Sequence, residues 1–193
     1  MYLDRALLKM KAVYIVNDLK VAKVLVDPMR RAILDLLRQK PMTQAQLAQM
    51  LGLTSASLNY HIKKLKSKKL VVVAKREVEK HSIMQIFFSS IAYLFVYDLD
   101  SFPKNIARYF YPISLERARS VVSLSIIKEK EYHIERTPAA INVLSEHLAR
   151  SLVKISKDYE QREVNFGDEK IAYEIYTKAI NAVIKQHSVA IRQ

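Results

Sequence analysis

Hydrophobic residues recur every three or four positions along much of the chain, the spacing that places them on one face of an α-helix. Asp27-Pro28 predicts the start of the first clear helix, because Asp is a favoured N-cap and Pro suits the first helical position. Pro41 predicts its end, since the residue before a proline avoids the helical region. The apolar face of this helix consists of Ala32, Ile33, Leu36 and Leu37.

The segment before this helix has a mixed pattern. Val13 to Val16 is typical of a strand or an extended arm. Val21, Val24 and Leu25 have helical spacing. Residues 1–27 are therefore interpreted as an N-terminal arm or helix that contacts a second copy in a dimer.

Two short helices joined by a tight turn are predicted between residues 43 and 70. Thr43 and Gln46 have the spacing of a capping box at the start of the first helix. Gly52 stands where a left-handed residue ends that helix, and Thr54 is the predicted N-cap of the second helix. The buried stripe of the second helix is predicted to be Leu58, Ile62 and Leu65.

A β-hairpin is predicted directly after the second helix. Residues 70–73 form a β-branched run, residues 75–82 a charged tip, and Ile83 to Phe88 a returning strand whose apolar run continues to Tyr97. A strand, a charged tip and a strand after a helix-turn-helix make a wing. The fold class predicted for residues 28–97 is therefore a winged helix-turn-helix, mainly α with a small β-wing (α+β).

The chain beyond a turn-like break at residues 98–104 is predicted to be helical. Apolar positions indicate a helix over residues 115–127, Thr137-Pro138 starts a long helix, and a last helix follows the loop at residues 165–168. Residues 98–193 are thus expected to form a helical dimerisation or effector region. The apolar stripe of the long helix fits either a core or a dimer interface. The predicted dimer-interface residues are Leu144, Leu148, Leu152 and Ile155.

Aromatic residues in this region are numerous enough to line a pocket for an unidentified small-molecule effector, although a role in the core is the simpler interpretation. No pattern identifies a ligand, and no cofactor is predicted. The residues concerned are Phe102, Tyr109, Phe110, Tyr111 and Tyr132.

Positive charge is concentrated over the predicted helix-turn-helix and wing. The whole chain has a formal net charge of +13. Residues 20–90 contain 14 Lys and Arg against 4 Asp and Glu, a net of +10, whereas residues 91–193 contain 15 against 13. A lysine-rich, solvated surface does not explain this segregation, which indicates binding to a polyanion.

Double-stranded DNA is the polyanion that fits the pattern. Reading a base sequence requires an exposed helix in the major groove with short polar side chains near its N-terminus. The predicted base contacts are Ser55, Ser57, Asn59 and Tyr60.

Basic side chains and amides at helix starts contact phosphates, which fixes register without reading sequence. The predicted phosphate contacts are Thr43, Gln44, Thr54, Lys63, Lys64, Lys75, Arg76, Lys80 and His81. An ordinary helical hairpin is the alternative, but it does not require the turn glycine, the polar N-terminal half and the charged hairpin together.

Three segments resemble the ArsR-type winged helix-turn-helix repressors: DPMRRAIL at residues 27–34, LA with LGLT at 47–54, and SLNYHIKKL at 57–65. KHSIMQ at residues 80–85 is similar to the wing of their archaeal branch. The resemblance covers about residues 12–97 and implies homodimers that bind palindromic operators and regulate transcription. Metal-sensing members use cysteine pairs, and this chain has no cysteine, so metal sensing is not supported.

Several other classes of site are not supported by the sequence. The lack of cysteine excludes disulfides, thiolate metal sites and cysteine nucleophiles. His61 fits either packing or a phosphate contact, and a metal site around Glu146 and His147 lacks a recognisable ligand spacing. No Ser-His-Asp order, Gly-rich phosphate loop or paired-carboxylate motif stands out, so the protein is not expected to be an enzyme.

The N-terminal residues do not form the apolar segment of a signal peptide. The longest apolar run, Ile86 to Tyr97, is about half of the roughly 20 residues that a membrane helix needs. A soluble, cytoplasmic protein without membrane contact is therefore expected. Two glycines, no cysteine and many Lys, Ile and Tyr residues suggest a thermophilic source.

The sequence thus predicts a sequence-specific DNA-binding regulator of transcription, a repressor that acts as a homodimer on a palindromic operator. Two alternatives share the same features. One is an architectural protein that binds DNA regardless of sequence, and the other is a winged-helix module whose basic surface binds an acidic protein.

Overall fold

The computed structural model describes residues 9–78, 84–127 and 137–190, and this part of the chain contains eight α-helices and six strands. Helices dominate, as the predicted fold class requires. In chain order the elements are β1 (Met10–Val16), α1 (Leu19–Leu25), α2 (Pro28–Gln39), β2 (Met42–Thr43), α3 (Gln44–Leu51), α4 (Ser55–Ser67), β3 (Val71–Val78), β4 (Met84–Ser90), β5 (Ala92–Tyr97), α5 (Lys104–Ala107), α6 (Tyr111–Ile127), α7 (Pro138–Ser156), β6 (Glu163–Val164) and α8 (Glu169–Ala190).

Side-chain caps fix the starts of the predicted helices. The Asp27 carboxylate accepts a hydrogen bond from the Met29 amide at 2.8 Å, at the start of α2. Thr54 and Thr137 cap α4 and α7, and each hydroxyl accepts an amide hydrogen bond at 3.2 Å. Each cap satisfies an amide that the helix itself leaves unpaired. The predicted N-caps are confirmed.

The wing is an antiparallel hairpin in which Val71 lies opposite Ser90 and Val78 opposite Met84. The register shifts between Val73 and Lys75, and β3 then continues to Val78. The prediction that the charged tip begins at Lys75 is therefore wrong, because residues 75–78 are still paired with β4. Residues 79–83 lie outside the described part of the chain.

A second sheet, with strand order β5-β1-β6, brings together the N-terminal strand, the strand that follows the wing and a short strand that precedes α8. The predicted strand at residues 13–16 is confirmed: β1 runs parallel to β5, with Val13 opposite Leu94. The apolar run from Ile86 to Tyr97 is divided between β4 of the wing and β5. At the junction, Ile91 donates a hydrogen bond to the Leu70 carbonyl at 3.1 Å and accepts one from the Lys11 amide at 3.0 Å. The N-terminal segment thus belongs to the protomer's own sheet. Its contact with a second copy, and the predicted domain boundaries, stay predictions.

Two hydrophobic clusters fill the molecule. One lies beneath the helix-turn-helix and wing, and the other lies between the β5-β1-β6 sheet and helices α6 to α8. Leu144, Leu148 and Leu152 belong to the second cluster and are 1–2% exposed. Their side chains therefore have no surface to offer a second copy, which corrects the predicted dimer interface at these positions. Ile155 is half-buried beside them.

The predicted aromatic residues do not line one pocket. Phe102 and Phe110 are buried in the core beneath the helix-turn-helix, where Phe110 stacks on Tyr97 with 4.2 Å between ring centroids. Tyr109 and Tyr111 are exposed, and Tyr132 lies outside the described residues. The core interpretation is thus confirmed for the two phenylalanines. None of the helices in the described ranges is long and apolar enough to cross a membrane.

Candidate nucleic-acid interface

The turn between α3 and α4 depends on a left-handed glycine. Gly52 has φ 62° and ψ 31°, a conformation that residues with a Cβ rarely adopt. The following amide, that of Leu53, donates to the Ala48 carbonyl at 2.9 Å and closes the end of α3. The chain can then turn at once to Thr54, the N-cap of α4.

Burial on one side of α4 determines which residues face outward. Leu58, Ile62 and Leu65 are 0–1% exposed and fix the inner face. The four predicted base contacts lie off this stripe, at the N-terminal half of the helix. Ser55 and Tyr60 are exposed, and Ser57 and Asn59 are half-exposed.

Tyr60 is the largest exposed side chain on this surface, with 53% of its area accessible. Lys64 Nζ lies 5.5 Å from the centroid of its ring, and His61 meets the ring edge-on at 5.5 Å. A cation near an aromatic face is attracted to it, so Lys64 and Tyr60 form one adjacent pair. The pair combines a basic group with an amphipathic ring on the exposed side of α4.

His61 points inward. Its side chain is 14% exposed, and Nδ1 lies 3.6 Å from the Asp27 carboxylate at the start of α2. Of the two interpretations that the sequence left open for this residue, the geometry favours packing over a phosphate contact.

The predicted phosphate contacts fall into three groups. Lys63, Lys64 and Arg76 are exposed and form no ion pair within the described chain. Lys75 is engaged: its Nζ lies 2.5 Å from Glu77 Oε1 and 4.3 Å from the centroid of the Phe87 ring. Lys80 and His81 lie outside the described residues.

The polar groups at the helix starts are only partly available. Thr43 is 9% exposed, and its amide donates to Gln46 Oε1 at 3.0 Å within a capping box. The prediction that this amide is a phosphate donor is corrected, because it already has a partner. Gln44 is half-exposed and Thr54 is exposed, with the Thr54 hydroxyl accepting from the Ser57 amide.

Some of the basic excess has a structural role that charge counting did not reveal. Arg30 donates to the Val24 carbonyl at 2.7 Å, and Arg31 donates to the Leu25 carbonyl at 2.6 Å, so both satisfy the C-terminal end of α1. Arg38 pairs with Asp35 at 3.4 Å. These arginines hold helices together and do not belong to the exposed surface of α4.

Two exposed lysines extend this surface beyond the predicted contacts. Lys66 Nζ lies 5.5 Å from the centroid of the Phe88 ring of the wing, and Lys69 stands at the junction of α4 and β3. The signal for both was the lysine run at residues 63–69, but the sequence could not show which of its members face solvent. Over the residues that the structure describes, no three His, Cys, Asp or Glu side chains are grouped so that they could hold a metal.

Comparison with known proteins agrees with this geometry. Residues 25–74 match a family model described as a helix-turn-helix domain. No curated protein sequence matches the chain significantly.

Solved structures give weaker similarities. A solution structure of the homodimeric winged helix-turn-helix DNA-binding domain Mb0332 from Mycobacterium bovis, a possible ArsR-family regulator, is 18% identical and covers 61% of this chain and 83% of its own, with a TM-score of 0.32. The apo form of a double mutant of Lactococcus lactis ZitR is 16% identical, covers 67% and 83%, and has the same TM-score of 0.32. Neither similarity is high enough to support an argument about this chain. The family model and the geometry together show that residues 25–74 form a helix-turn-helix domain, to which the β3–β4 hairpin adds a wing.

Proposed function

We propose that the protein is a sequence-specific double-stranded DNA-binding regulator of transcription that acts as a homodimer. The observation that carries the proposal is the outer surface of α4. Its N-terminal half exposes Ser55 and Tyr60, with Ser57 and Asn59 half-exposed, and its C-terminal half exposes Lys63 and Lys64 without ion pairs in the described chain.

This arrangement separates two tasks on one helix. Asn59 is the side chain best suited to base reading, because an amide pairs with adenine through two hydrogen bonds in the major groove. Lys63, Lys64 and Arg76 supply charge that neutralises phosphates on any sequence. Polar groups alone would bind weakly, and lysines alone would bind without selection.

The resemblance of residues 27–65 to ArsR-type repressors supports a homodimer and repression. In a two-fold dimer, two copies of α4 roughly 34 Å apart enter successive major grooves of a palindromic site. Because the leucines of the α7 stripe are covered by their own chain, we place the dimer interface elsewhere on the protomer.

Selection of binding sites from a pool of random duplexes tests the proposal most directly. Enrichment of a palindromic site with half-sites about one helical turn apart is expected. Binding without enrichment of any sequence would mean an architectural protein. No binding even at low salt would overturn DNA binding altogether and favour an acidic protein partner.

Two variants separate base reading from phosphate binding. Asn59→Ala and Tyr60→Ala are expected to reduce discrimination between the selected site and unrelated duplex, by about 1–3 kcal/mol for a lost bidentate base contact. Asn181→Ala, an exposed position on α8, is the matched control. Equal losses on all duplexes from the two α4 variants would contradict base reading. Transcription in vitro from a promoter that overlaps the selected site then tests repression, and unchanged or increased transcript would exclude it.

A further inference from the structure

A cleft of about 370 Å³ lies between α2 of the helix-turn-helix and the C-terminal helices α6 and α8, with β5 contributing to its lining. Its volume falls within the range of small-molecule sites, roughly 300–1,000 Å³. Residues of both halves of the chain line it, among them Arg38 of α2, Tyr97 of β5, Arg117 of α6 and Tyr176 of α8.

The carboxylates at this cleft already have partners. Asp35 Oδ1 pairs with Arg38 Nη2 at 3.4 Å. Glu169 Oε1 accepts a hydrogen bond from Gln39 Nε2 at 3.1 Å. The lining nevertheless holds three arginines, Arg31, Arg38 and Arg117, against these two carboxylates, and this formal net charge of +1 favours an anion over a cation.

Two donors at the same cleft lack an acceptor. The Arg117 guanidinium forms no ion pair with any described residue, and its Cζ lies over the Tyr176 ring, 5.3 Å from the centroid. The Tyr97 hydroxyl has no hydrogen-bond partner in the same ranges. Burial raises the pKa of Tyr97 to about 12, so the hydroxyl keeps its proton at neutral pH and can only be a neutral donor or acceptor. Arg117 and Tyr97 also both line a smaller cavity, so the two donors lie in the same region of the cleft.

The remaining lining is largely apolar or aromatic, with Leu34, Leu94, Phe95 and Ile113 as examples. An arginine matches the geometry of a carboxylate through parallel hydrogen bonds, and an aromatic-lined cavity suits a flat apolar body. A second cleft, which includes Asp98, Asp100 and Glu146, lacks these features because Arg150 there is bound to Asp100 at 2.9 Å.

We propose that the cleft between α2 and the C-terminal helices binds a small organic anion of the aryl carboxylate class, with Arg117 pairing with its carboxylate and Tyr97 donating a hydrogen bond to it. This inference goes beyond DNA binding and is independent of it. None of the aromatic residues predicted from the sequence to line an effector pocket lies in this cleft. The aromatic residues that do line it include Phe95, Tyr97 and Tyr176.

Isothermal titration calorimetry on the full chain, without DNA, tests the site with three probes: 2-naphthoate, 2-naphthamide and acetate. One 2-naphthoate per chain is expected to bind, at least tenfold more tightly than the neutral amide, which lacks the charge, and than acetate, which lacks the apolar body. Equal affinity for 2-naphthoate and its amide, or no binding of 2-naphthoate, would overturn the proposal. Because no DNA is present, failure here is distinct from failure to bind DNA.

Variants assign the two donors. Arg117→Gln is expected to weaken 2-naphthoate binding on the order of tenfold or more, as for loss of a hydrogen-bonded charge. Arg117→Lys keeps the charge without the planar fork and should have an intermediate affinity, and Tyr97→Phe should lose a few-fold. Arg119→Gln, an exposed arginine on the same helix, is the matched control and should bind like the original chain. Circular dichroism verifies that each variant is folded. Binding by Arg117→Gln that equals the control would refute the assignment of the site.

Discussion

Asp27 and His61 face each other across the contact between α2 and α4, with 3.6 Å between Asp27 Oδ2 and His61 Nδ1. The same carboxylate caps α2 through the Met29 amide at 2.8 Å and pairs with Arg30 at 3.2 Å. One side chain therefore fixes the start of α2 and faces the inner side of the helix that carries the proposed base contacts. The start of α2 is thus in direct contact with the inner side of α4.

Asp27→Ala is expected to lower the free energy of unfolding by about 1–2 kcal/mol, because the N-cap is lost. Asp27→Asn keeps a capping oxygen and should lose less, since Asn is as good an N-cap as Asp. Urea unfolding of both variants measures the difference. Equal losses in the two variants would assign the effect to the charge near Arg30 and His61, and not to the cap.

The backbone conformation of Lys69 leads us to expect that replacing it with glycine stabilises the folded chain. It has φ 56° between α4 and β3, where a residue with a Cβ is strained, and its side chain is exposed. Lys69→Gly should raise the free energy of unfolding by about 0.5–1 kcal/mol. Lys69→Ala removes the charge but keeps the Cβ, so it serves as the control and should give no such gain in urea unfolding.

Gly52 has a similar positive φ of 62°, so Gly52→Ala should have the opposite effect. A Cβ added there meets nothing within 4 Å, and the cost, about 1 kcal/mol, comes from the backbone alone. A stabilising Gly52→Ala together with a destabilising Lys69→Gly would contradict this account of the two turns.

The salt dependence of DNA affinity tests the proposed phosphate contacts. Each neutralised phosphate contributes a slope of about 0.9 to the plot of log affinity against log salt concentration. Lys63→Ala and Lys64→Ala should each reduce that slope by up to about this amount. Fluorescence anisotropy over a range of salt concentrations measures it. Lys185→Ala, an exposed lysine on α8, is the control, and an equal reduction there would mean that the effect reflects net charge and not contact.

The raised pKa of Tyr97 leads us to expect that the folded chain loses stability at alkaline pH. Burial raises its pKa to about 12 in the folded chain, from an ordinary value of 10.0. Above pH 10 the unfolded chain releases this proton while the folded chain keeps it, so the stability that is present below pH 10 falls up to pH 12. The fall attributable to Tyr97 is at most about 3 kcal/mol, since one pKa unit corresponds to roughly 1.4 kcal/mol.

Tyr97→Phe should therefore show a shallower fall in urea stability between pH 10 and 12 than the original chain. Tyr93, whose pKa is also raised to about 12, chiefly by burial, still contributes in that variant. Identical profiles for Tyr97→Phe and the original chain would rule out Tyr97 as a source of the alkaline transition.

The parts of the fold that the sequence predicted are those with local signals. Asp27, Thr43 and Thr54 cap helices through neighbouring amides, and Gly52 adopts its turn within a few residues. The parallel pairing of β1 with β5 joins distant segments and has no such signal. Periodicity identified the apolar face of α7 but could not show what covers that face.

The same limit applies to the candidate site. The charge count identified the basic region, but Arg30 and Lys64 look alike in a sequence. The contact of Arg30 with the Val24 carbonyl depends on how α1 and α2 pack, and this is fixed only in the folded chain. The cleft beside Arg117 is made by elements from both halves of the molecule, so no single segment could reveal it.

Leu148 distinguishes a core from a dimer interface. It is 2% exposed and lies among α7, α8 and the β5-β1-β6 sheet of one chain. Leu148→Ala should reduce the free energy of unfolding by about 2–5 kcal/mol, because it removes transfer energy and leaves a cavity.

The control for this substitution is Val143→Ala on the same helix, where the side chain is 47% exposed and truncation should change stability little. Sedimentation equilibrium of the folded variants measures self-association separately from urea unfolding. Because the Leu148 side chain is already covered by its own chain, Leu148→Ala should leave the self-association constant unchanged. If Leu148→Ala unfolds at the same urea concentration as the original chain but dissociates more readily, the apolar stripe of α7 is part of the dimer interface.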